Sequence, residues 1–555
     1  MANNRTLHLI LLFALFLRLF GIGWDNGFHL HPDERMLIMV ADRIHFFDQL
    51  NPNFFNYGTL PIYILKGSLE FIDWMLDSRL ATYDGMLWGG RVFSAASDVL
   101  TVFFIYQIAR ILFKKKPVAL FSATLYAIAF FPIQNSHFFV VDVFLTTLTT
   151  LLIYLIIKYN QIADDRGQFG NYIYISFIAL IFAAMLATKF TAIIFLPFIS
   201  FTILIRQKTR LIQKLRSLLI FYLLSLIFFF LFMPYAIMDI GKYISDISAQ
   251  MRMNSNPYIF PYTLQYVGTL PYLYYLKNIF LWGLGPFISL TVIVGLVKFI
   301  YQSANRRIKI KYLIFDMHVL YFLFYILYFL LIGRSAVKFM RYMLPMYPFF
   351  AVLAGYGLSR IGNWKLGIRN YIFYGLLTLQ TVWLALFMSI YTQPNTRIMA
   401  NEWILKNIPY GASIAVEHWD DRLPLEGSEN YQMIELPLYE LPDNKSKWLL
   451  IEERLRQTDY IVIASNRLYV PLQKLSDCLK YKVCYPKTAQ YYQKLFGGEY
   501  VIDDMRFQKV AEFASYPKLE IGNWKLEIPD DAADESFTVY DHPKILIFKN
   551  TAFQL

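Results

Sequence analysis

Two adjacent carboxylates, Asp33 and Glu34, stand in the run Trp24-Asp25-Asn26-Gly27-Phe28-His29-Leu30-His31-Pro32-Asp33-Glu34-Arg35, directly after an apolar segment. Further polar residues punctuate the apolar sequence. Arg91 lies in Gly89-Gly90-Arg91-Val92, His137 and Asp142 in Asn135 to Asp142, and Lys189 in Ala187-Thr188-Lys189-Phe190-Thr191. Arg334, Lys338, Arg341 and Tyr342 fall in Gly333 to Tyr342. Carboxylates beside cations at one depth would serve transfer from a phosphate leaving group: the cations neutralise the phosphate, and a carboxylate takes the proton of the attacking hydroxyl. A phosphate monoester leaves without a proton, so one carboxylate base suffices, whereas a glycosidase needs a second carboxyl group as acid.

Plainer readings exist for each residue. Pro32 suits the first position of a helix, with Asp33 and Glu34 favoured in its first turn by the helix dipole. An interfacial helix would then carry Met36, Leu37, Met39, Val40, Ile44 and Phe47 on its apolar face. The basic residues could snorkel to lipid headgroups. Asp142, one turn into an apolar run, must face a protein partner, and pairing with Arg91 or His137 would be structural.

The elements that position these residues follow from composition. The chain has 555 residues, 57% hydrophobic and 17% charged, with mean hydropathy +0.40. That is a polytopic membrane protein, with 50 Phe, 41 Tyr and 10 Trp suited to aromatic belts at the bilayer interfaces. The net charge of +12 collects in short loops between apolar runs, which excludes nucleic acid as the partner. Apolar runs long enough to span occur near 7–23, 88–112, 117–136, 138–157, 171–187, 189–205, 217–237, 279–301, 313–333, 342–359 and 370–391, about eleven by hydropathy. The first is expected to be a retained span, since no small-residue cleavage site follows it.

The basic loops set orientation. Lys114 to Lys116, Lys158 with Arg166, Arg206 to Arg216, Arg306 to Lys311, and Arg360 to Arg369 all fall on one side if the N-terminus is cytoplasmic. The C-terminus and two long loops then face outward. Loop 24–87 carries the carboxylate pair and Asn56-Tyr57-Gly58-Thr59-Leu60-Pro61-Ile62-Tyr63, a turn opening a second interfacial helix. Loop 238–278 is rich in Tyr, Pro and Asn and reads as an interfacial segment or lid. From about Gln393 the pattern changes. Ser413–Val416, Tyr460–Ala464 and Ile545–Phe548 read as strands, and Thr396–Asn407 and Leu449–Arg456 as helices, which predicts a small α/β domain. Its cysteines, Cys478 and Cys484, could pair or remain thiols.

Taken in order, the Asp-Glu pair, the Tyr-Gly-x-Leu-Pro-x-Tyr run, Arg91, the His137 to Asp142 start, the Thr188-Lys189 turn and Lys338-Phe339-x-Arg341-Tyr342 resemble the GT-C glycosyltransferases. The nearest branch holds the protein O-mannosyltransferases and lipid A aminoarabinose transferases, and the likeness covers roughly residues 1–390. Ala400 to Ile404, Glu417-His418-Trp419-Asp420 and Tyr540-Asp541-His542-Pro543 are similar to the C-terminal domain of phospholipid-carrier-dependent members. The resemblance implies a polyprenyl-phosphate sugar donor, an inverting displacement and a site at the outer membrane face. By position it makes Asp33 the general base, Glu34 its neighbour, Arg91 and Asp142 site residues, and Lys189, Lys338 and Arg341 phosphate contacts.

The expected architecture is therefore an all-α polytopic GT-C domain over 1–392, N-in and C-out, followed by an extracytoplasmic α/β domain over 393–555. The candidate catalytic residues are Asp33, Glu34 and Asp142. Arg91, Lys189, Lys338, Arg341, His137 and Tyr342 form the donor-phosphate side, and Tyr57 and His31 the substrate loop. No cofactor is expected, since the cations already neutralise a monophosphate, although Asp33, Asp142, His29 and His31 could form an oxygen and nitrogen site for a divalent metal. Partners are membrane lipid, a polyprenyl-phosphate sugar, and a protein, lipid or glycan hydroxyl that accepts mannose or another hexose or pentose. The rival functions are a metal-requiring transferase using a diphosphate carrier, a flippase for lipid-linked sugar, and a silent glycan-binding scaffold. Against a flippase, the sequence shows no inverted repeat with paired broken helices, and its charges collect at one face rather than the midplane. Glu417, His418, Asp420, Asp541 and His542 are expected to be structural.

Overall fold

A computed structural model describes residues 5–161, 167–206, 210–305, 317–361, 367–419, 421–440, 443–498, 500–502 and 505–551. Asp420 and the loop residues Arg166, Lys208, Arg306, Arg307, Lys309, Lys311 and Lys365 lie outside the described residues, and Arg360 and Arg369 are described in backbone only. The chain divides into two compact units. The first comprises Met1–Ile22, Pro32–Arg252 and Leu270–Leu384, and the second Gly23–His31, Met253–Thr269 and Ala385–Leu555.

The first unit is helical, and every apolar run expected to span is at least partly helix. Among the described residues, Tyr83–Phe113, Val141–Gln161, Leu211–Phe232 and Tyr374–Asn407 are long and apolar enough to cross a bilayer. A fifth arises if Lys116–Ala127 and Phe130–Ser136, bent by 57°, form one span. Asn171–Leu186, Phe190–Leu204, Pro286–Gln302 and Met317–Ile332 are shorter apolar helices. Two helices are entered by a turn tighter than an α-helix. Phe190–Phe195 and Met340–Met346 are 3-10 turns leading into Leu196–Leu204 and Tyr347–Ile361, and a proline occupies each junction, Pro197 or Pro345. Proline supplies no N–H and disfavours a regular i to i−4 ladder just upstream.

The helix after the first apolar segment begins at Pro32 and runs to Asp42, with Asp33 and Glu34 in its first turn. Its buried face is Glu34, Leu37, Ile38, Val40 and Ala41, joined by Ile44 beyond its end. Met36, Met39 and Phe47, expected on that face, are exposed. The helical period of 3.6 residues explains the split: 34, 37, 38 and 41 share one side, while 36 and 39 turn away. The second loop helix runs from Leu60 to Leu76 with Pro61 near its start. Ion pairs inside the spans also hold this unit. Arg18 Nε donates to Asp98 Oδ2 at 2.6 Å, and Tyr126 Oη donates to Asp98 Oδ1 at 2.6 Å, all three side chains being buried.

The second unit contains strands β1 (Ser413–Glu417), β2 (Gln432–Leu436), β3 (Tyr460–Ile463), β4 (Val501–Ile502), β5 (Met505–Phe513), β6 (Lys518–Ile521), β7 (Trp524–Glu527) and β8 (Ile545–Asn550). Six form one sheet in the order β2-β1-β3-β8-β5-β4. β1 pairs parallel with β2 and β3, while β8 runs antiparallel to both β3 and β5. Burial of β1, β3 and nearly all of β8 on both faces accounts for their continuous apolar sequence. Helices Thr396–Asn407 and Lys445–Arg456 contribute Ile404 and Ile451 to apolar clusters around the sheet. The hairpin β6–β7 pairs Leu519 with Leu526 and Ile521 with Trp524, so its apolar residues share one face and its charged residues the other. Cys478 and Cys484 form a disulfide.

Candidate functional site

Within the first unit, Asp33, Asp142, Lys189, Arg341 and Tyr57 make one chain of contacts. Arg341 Nη1 pairs with Asp33 Oδ2, and Arg341 Nε lies 3.9 Å from Asp142 Oδ2. Lys189 Nζ donates to Asp142 Oδ1 at 2.6 Å and stands 4.8 Å from the centre of the Tyr342 ring. Tyr57 Oη donates to Asp33 Oδ1 at 3.0 Å. Cations and carboxylates therefore alternate from residue 33 to residues 142, 189 and 341. Asp142 has Lys189 and Arg341 as partners rather than the Arg91 or His137 considered from sequence. Burial pushes the Tyr57 hydroxyl well above its usual value, the Asp33 carboxylate adds to this, and Arg341 opposes it. Tyr57 is thus a neutral hydroxyl that donates to Asp33.

Local structure puts these groups together. Lys189 caps the turn after helix Gly167–Leu186, where it precedes the 3-10 turn Phe190–Phe195. The first loop docks on that turn through its backbone: Gly58 N donates to Thr188 O and Leu60 N to Ala187 O, each at 3.0 Å. A side chain at Gly58 would run into the Ala187 carbonyl, so glycine is what permits this approach. Asp142 lies in the first turn of Val141–Gln161.

Glu34 and Arg91 occupy a separate, completely buried arrangement. Arg91 Nε donates to Glu34 Oε1 at 3.0 Å and Nη2 to Oε2 at 2.7 Å. Arg91 Nη1 also donates to Ile22 O at 2.8 Å, and Phe139 N to Glu34 Oε1 at 2.8 Å. This bidentate pair ties the helix Pro32–Asp42 to the helix Tyr83–Phe113 and to the start of the next span. Glu34 and Arg91 thus join these elements to one another within the first unit. His137, fully buried, has Nδ1 2.8 Å from Ile133 O and Nε2 2.8 Å from Phe20 O. Lys338, also buried, donates from Nζ to Ala336 O at 3.0 Å, and Arg334 is exposed. His31 belongs to the second unit, where its ring lies 4.0 Å from that of Tyr540.

Among the described residues no three His, Cys, Asp or Glu side chains group as a metal site. In the second unit, His542 lies between Asp541 Oδ1 at 2.5 Å and Asp530 Oδ2 at 2.8 Å. Burial disfavours its charge, but the two carboxylates override this and raise it to about 10. Asp541 Oδ2 accepts from Tyr391 Oη at 2.8 Å, Glu417 Oε1 from Tyr492 Oη at 2.5 Å, and His418 Nδ1 sits 3.2 Å from Glu435. Each of these side chains is thus bonded within the second unit. Sequence reasoning missed Arg18, Asp98 and Tyr126, whose only signal is charge inside apolar segments.

The family model described as dolichyl-phosphate-mannose-protein mannosyltransferase matches residues 71–238. The oligosaccharyltransferase of Archaeoglobus fulgidus in its apo form superposes with a TM-score of 0.52 at 13% identity, covering 85% of this chain and 71% of that one. The archaeal oligosaccharyltransferase AglB from the same organism, in complex with an inhibitory peptide and a dolichol-phosphate, gives 0.51 at 13% identity, with 95% and 74% covered. ArnT from Cupriavidus metallidurans bound to undecaprenyl phosphate gives 0.49 at 11% identity, with 85% and 95% covered. Comparison with curated proteins gives no match. The chain therefore shares the fold of these oligosaccharyltransferase structures, and its long apolar helices are those of a membrane protein.

Proposed function

We propose that the protein moves a sugar from a polyprenyl-phosphate donor to a hydroxyl acceptor by inverting displacement, with Asp33 as general base. The observation carrying this reading is the contact chain Tyr57–Asp33–Arg341–Asp142–Lys189. Among the three candidate carboxylates, Asp33 is 24% exposed, Asp142 4% and Glu34 0%, so Asp33 is the one an acceptor can reach. The donor phosphate takes over Arg341 and the Lys189 ammonium, and this frees the Asp33 carboxylate. The acceptor oxygen bonds to the anomeric carbon as the bond from that carbon to the phosphate oxygen breaks. The electron pair leaves with the polyprenyl phosphate, and the hydroxyl proton passes to Asp33. Asp142 holds both cations in place, and Lys338 and Tyr342 border the phosphate from the same segment as Arg341.

The family description over 71–238 and the dolichol-phosphate bound by AglB support a lipid-phosphate donor. In this reading the chain crosses the plasma membrane about eleven times by hydropathy, with the N-terminus inside and the catalytic part, 1–392, opening outward. Residues 393–555 form the outer domain that meets the acceptor. Asp33→Asn keeps the side chain's shape and removes its basicity. Transfer from a radiolabelled polyprenyl-phosphate sugar, assayed in purified form, is expected to fall about 10²–10⁴-fold. Turnover near that of the unaltered protein rejects Asp33 as base. The neighbours named oligosaccharyltransferases favour one second reading, a diphosphate-linked oligosaccharide donor. That version requires a divalent ion, so loss of transfer on chelation, restored by added metal, selects it.

A further inference from the structure

The second unit carries a cleft that the proposed transfer chemistry does not use. It is about 350 Å³ in volume and is lined by Asn466, Tyr469, Phe496, Lys509, Glu512, Asp531 and Lys544, with Val470, Leu546 and Phe548 completing its walls. That volume lies within the range of small-ligand sites, about 300–1,000 Å³. The chemistry of the lining divides in two.

One wall is aromatic. The rings of Tyr469 and Phe496 meet at 5.1 Å edge to face, and those of Phe496 and Phe548 lie 6.1 Å apart at 22°. Phe496 remains 37% exposed. The other wall is ionic. Glu512 Oε1 takes Lys544 Nζ at 2.9 Å, and its Oε2 takes Lys509 Nζ at 2.5 Å. Asp531 Oδ2 accepts from Tyr516 Oη at 2.8 Å. Two ammonium groups thus face two carboxylates, and the rim is formally neutral. An anion would find no surplus of positive charge here, and a cation no surplus of negative charge. A neutral ligand rich in hydroxyls suits both carboxylate acceptors and ammonium donors.

An independent feature points the same way. Asn466 Oδ1 is buried, and no hydrogen-bond donor among the described residues reaches it. A buried acceptor left unmade costs free energy, and a ligand hydroxyl in the cleft would satisfy it. The partly exposed Phe496 ring fits the C–H face of a sugar ring, whose weakly positive hydrogens meet the negative face of the π system. We infer that this cleft is a saccharide-binding site, in which Phe496 and Tyr469 pack against a pyranose ring and Asn466, Glu512 and Asp531 take its hydroxyls. The site does not depend on the donor chemistry of the first unit, and it equips the outer domain to hold a glycan.

The test uses the full chain in a detergent without a sugar headgroup. Methyl α-mannopyranoside, methyl α-glucopyranoside and methyl α-galactopyranoside are titrated by saturation-transfer NMR, with inorganic phosphate as competitor. At least one glycoside is expected to bind saturably in the millimolar range. Asn466→Ala and Val470→Trp, the second of which fills the cleft from an exposed position, should each weaken it at least fivefold, and Asp33→Asn should leave it unchanged. Failure of all three glycosides to bind overturns the inference. So does displacement by equimolar phosphate, or binding that survives both cleft variants. Loss of binding in Asp33→Asn alone assigns the sugar to the first unit and equally overturns it. Loss of transfer without loss of glycoside binding tells against neither the cleft nor the saccharide.

Discussion

At the scale of single residues, three carboxylates that look alike in sequence have different surroundings. Asp33 keeps an accessible edge and contacts Arg341 and Tyr57, which the proposed substrate would displace. Asp142 is committed to two cations, and Glu34 is sealed in a bidentate pair with Arg91. Removing one member of a buried pair leaves an uncompensated charge, at a cost of about 3–5 kcal/mol. Arg91→Met should therefore lower the unfolding temperature in detergent sharply. The double variant Arg91→Met with Glu34→Leu should recover much of that loss, since two apolar side chains of similar size replace the pair. If Arg91→Met instead left stability intact and raised only the KM for donor, Arg91 would be a phosphate ligand and not a strut.

At the scale of elements, the site exists because loops and helix starts meet. The turn Ala187–Lys189 receives the first loop through two backbone hydrogen bonds, and the helix beginning at Pro32 is clamped to Tyr83–Phe113 by the Glu34–Arg91 pair. The first contact tolerates no side chain at Gly58. In Gly58→Ala the loop must back away, carrying Tyr57 and the approach to Lys189 with it. A misplacement of about 1 Å costs on the order of 10²-fold in rate, so transfer should fall by that order while donor binding to Arg341 persists. A steady-state comparison of kcat with donor KM checks this, and an unchanged kcat would show that the loop contact does not position the base.

At the scale of the whole chain, a helical unit bearing the charged chain and a sheet unit bearing the cleft have separate apolar cores. The sheet unit holds the Cys478–Cys484 disulfide, and disulfides persist in oxidising surroundings. If the C-terminal unit faces outward, an impermeant phosphine followed by an impermeant maleimide should label Cys478 and Cys484 on intact cells. Labelling only after permeabilisation would place that unit inside and reverse the proposed orientation.

The helix at Pro32, the helix Thr396–Asn407, the strands near 413, 460 and 545 and the membrane class of the chain were legible in the sequence. Each rests on local signals: apolar period, turn chemistry, and charge at the ends of apolar runs. The charged residues that gather in the first unit stood out for the same reason, because charge beside a bilayer is costly to keep. What the sequence left open was pairing. That Asp142 meets Lys189 and Arg341, that Arg91 belongs to Glu34, that His31 packs on Tyr540, and that Cys478 joins Cys484 depend on distances between residues far apart in the chain or on loop geometry. Those distances are set by helix breaks, by a glycine that admits a neighbouring backbone, and by packing of both units, and no local pattern encodes them.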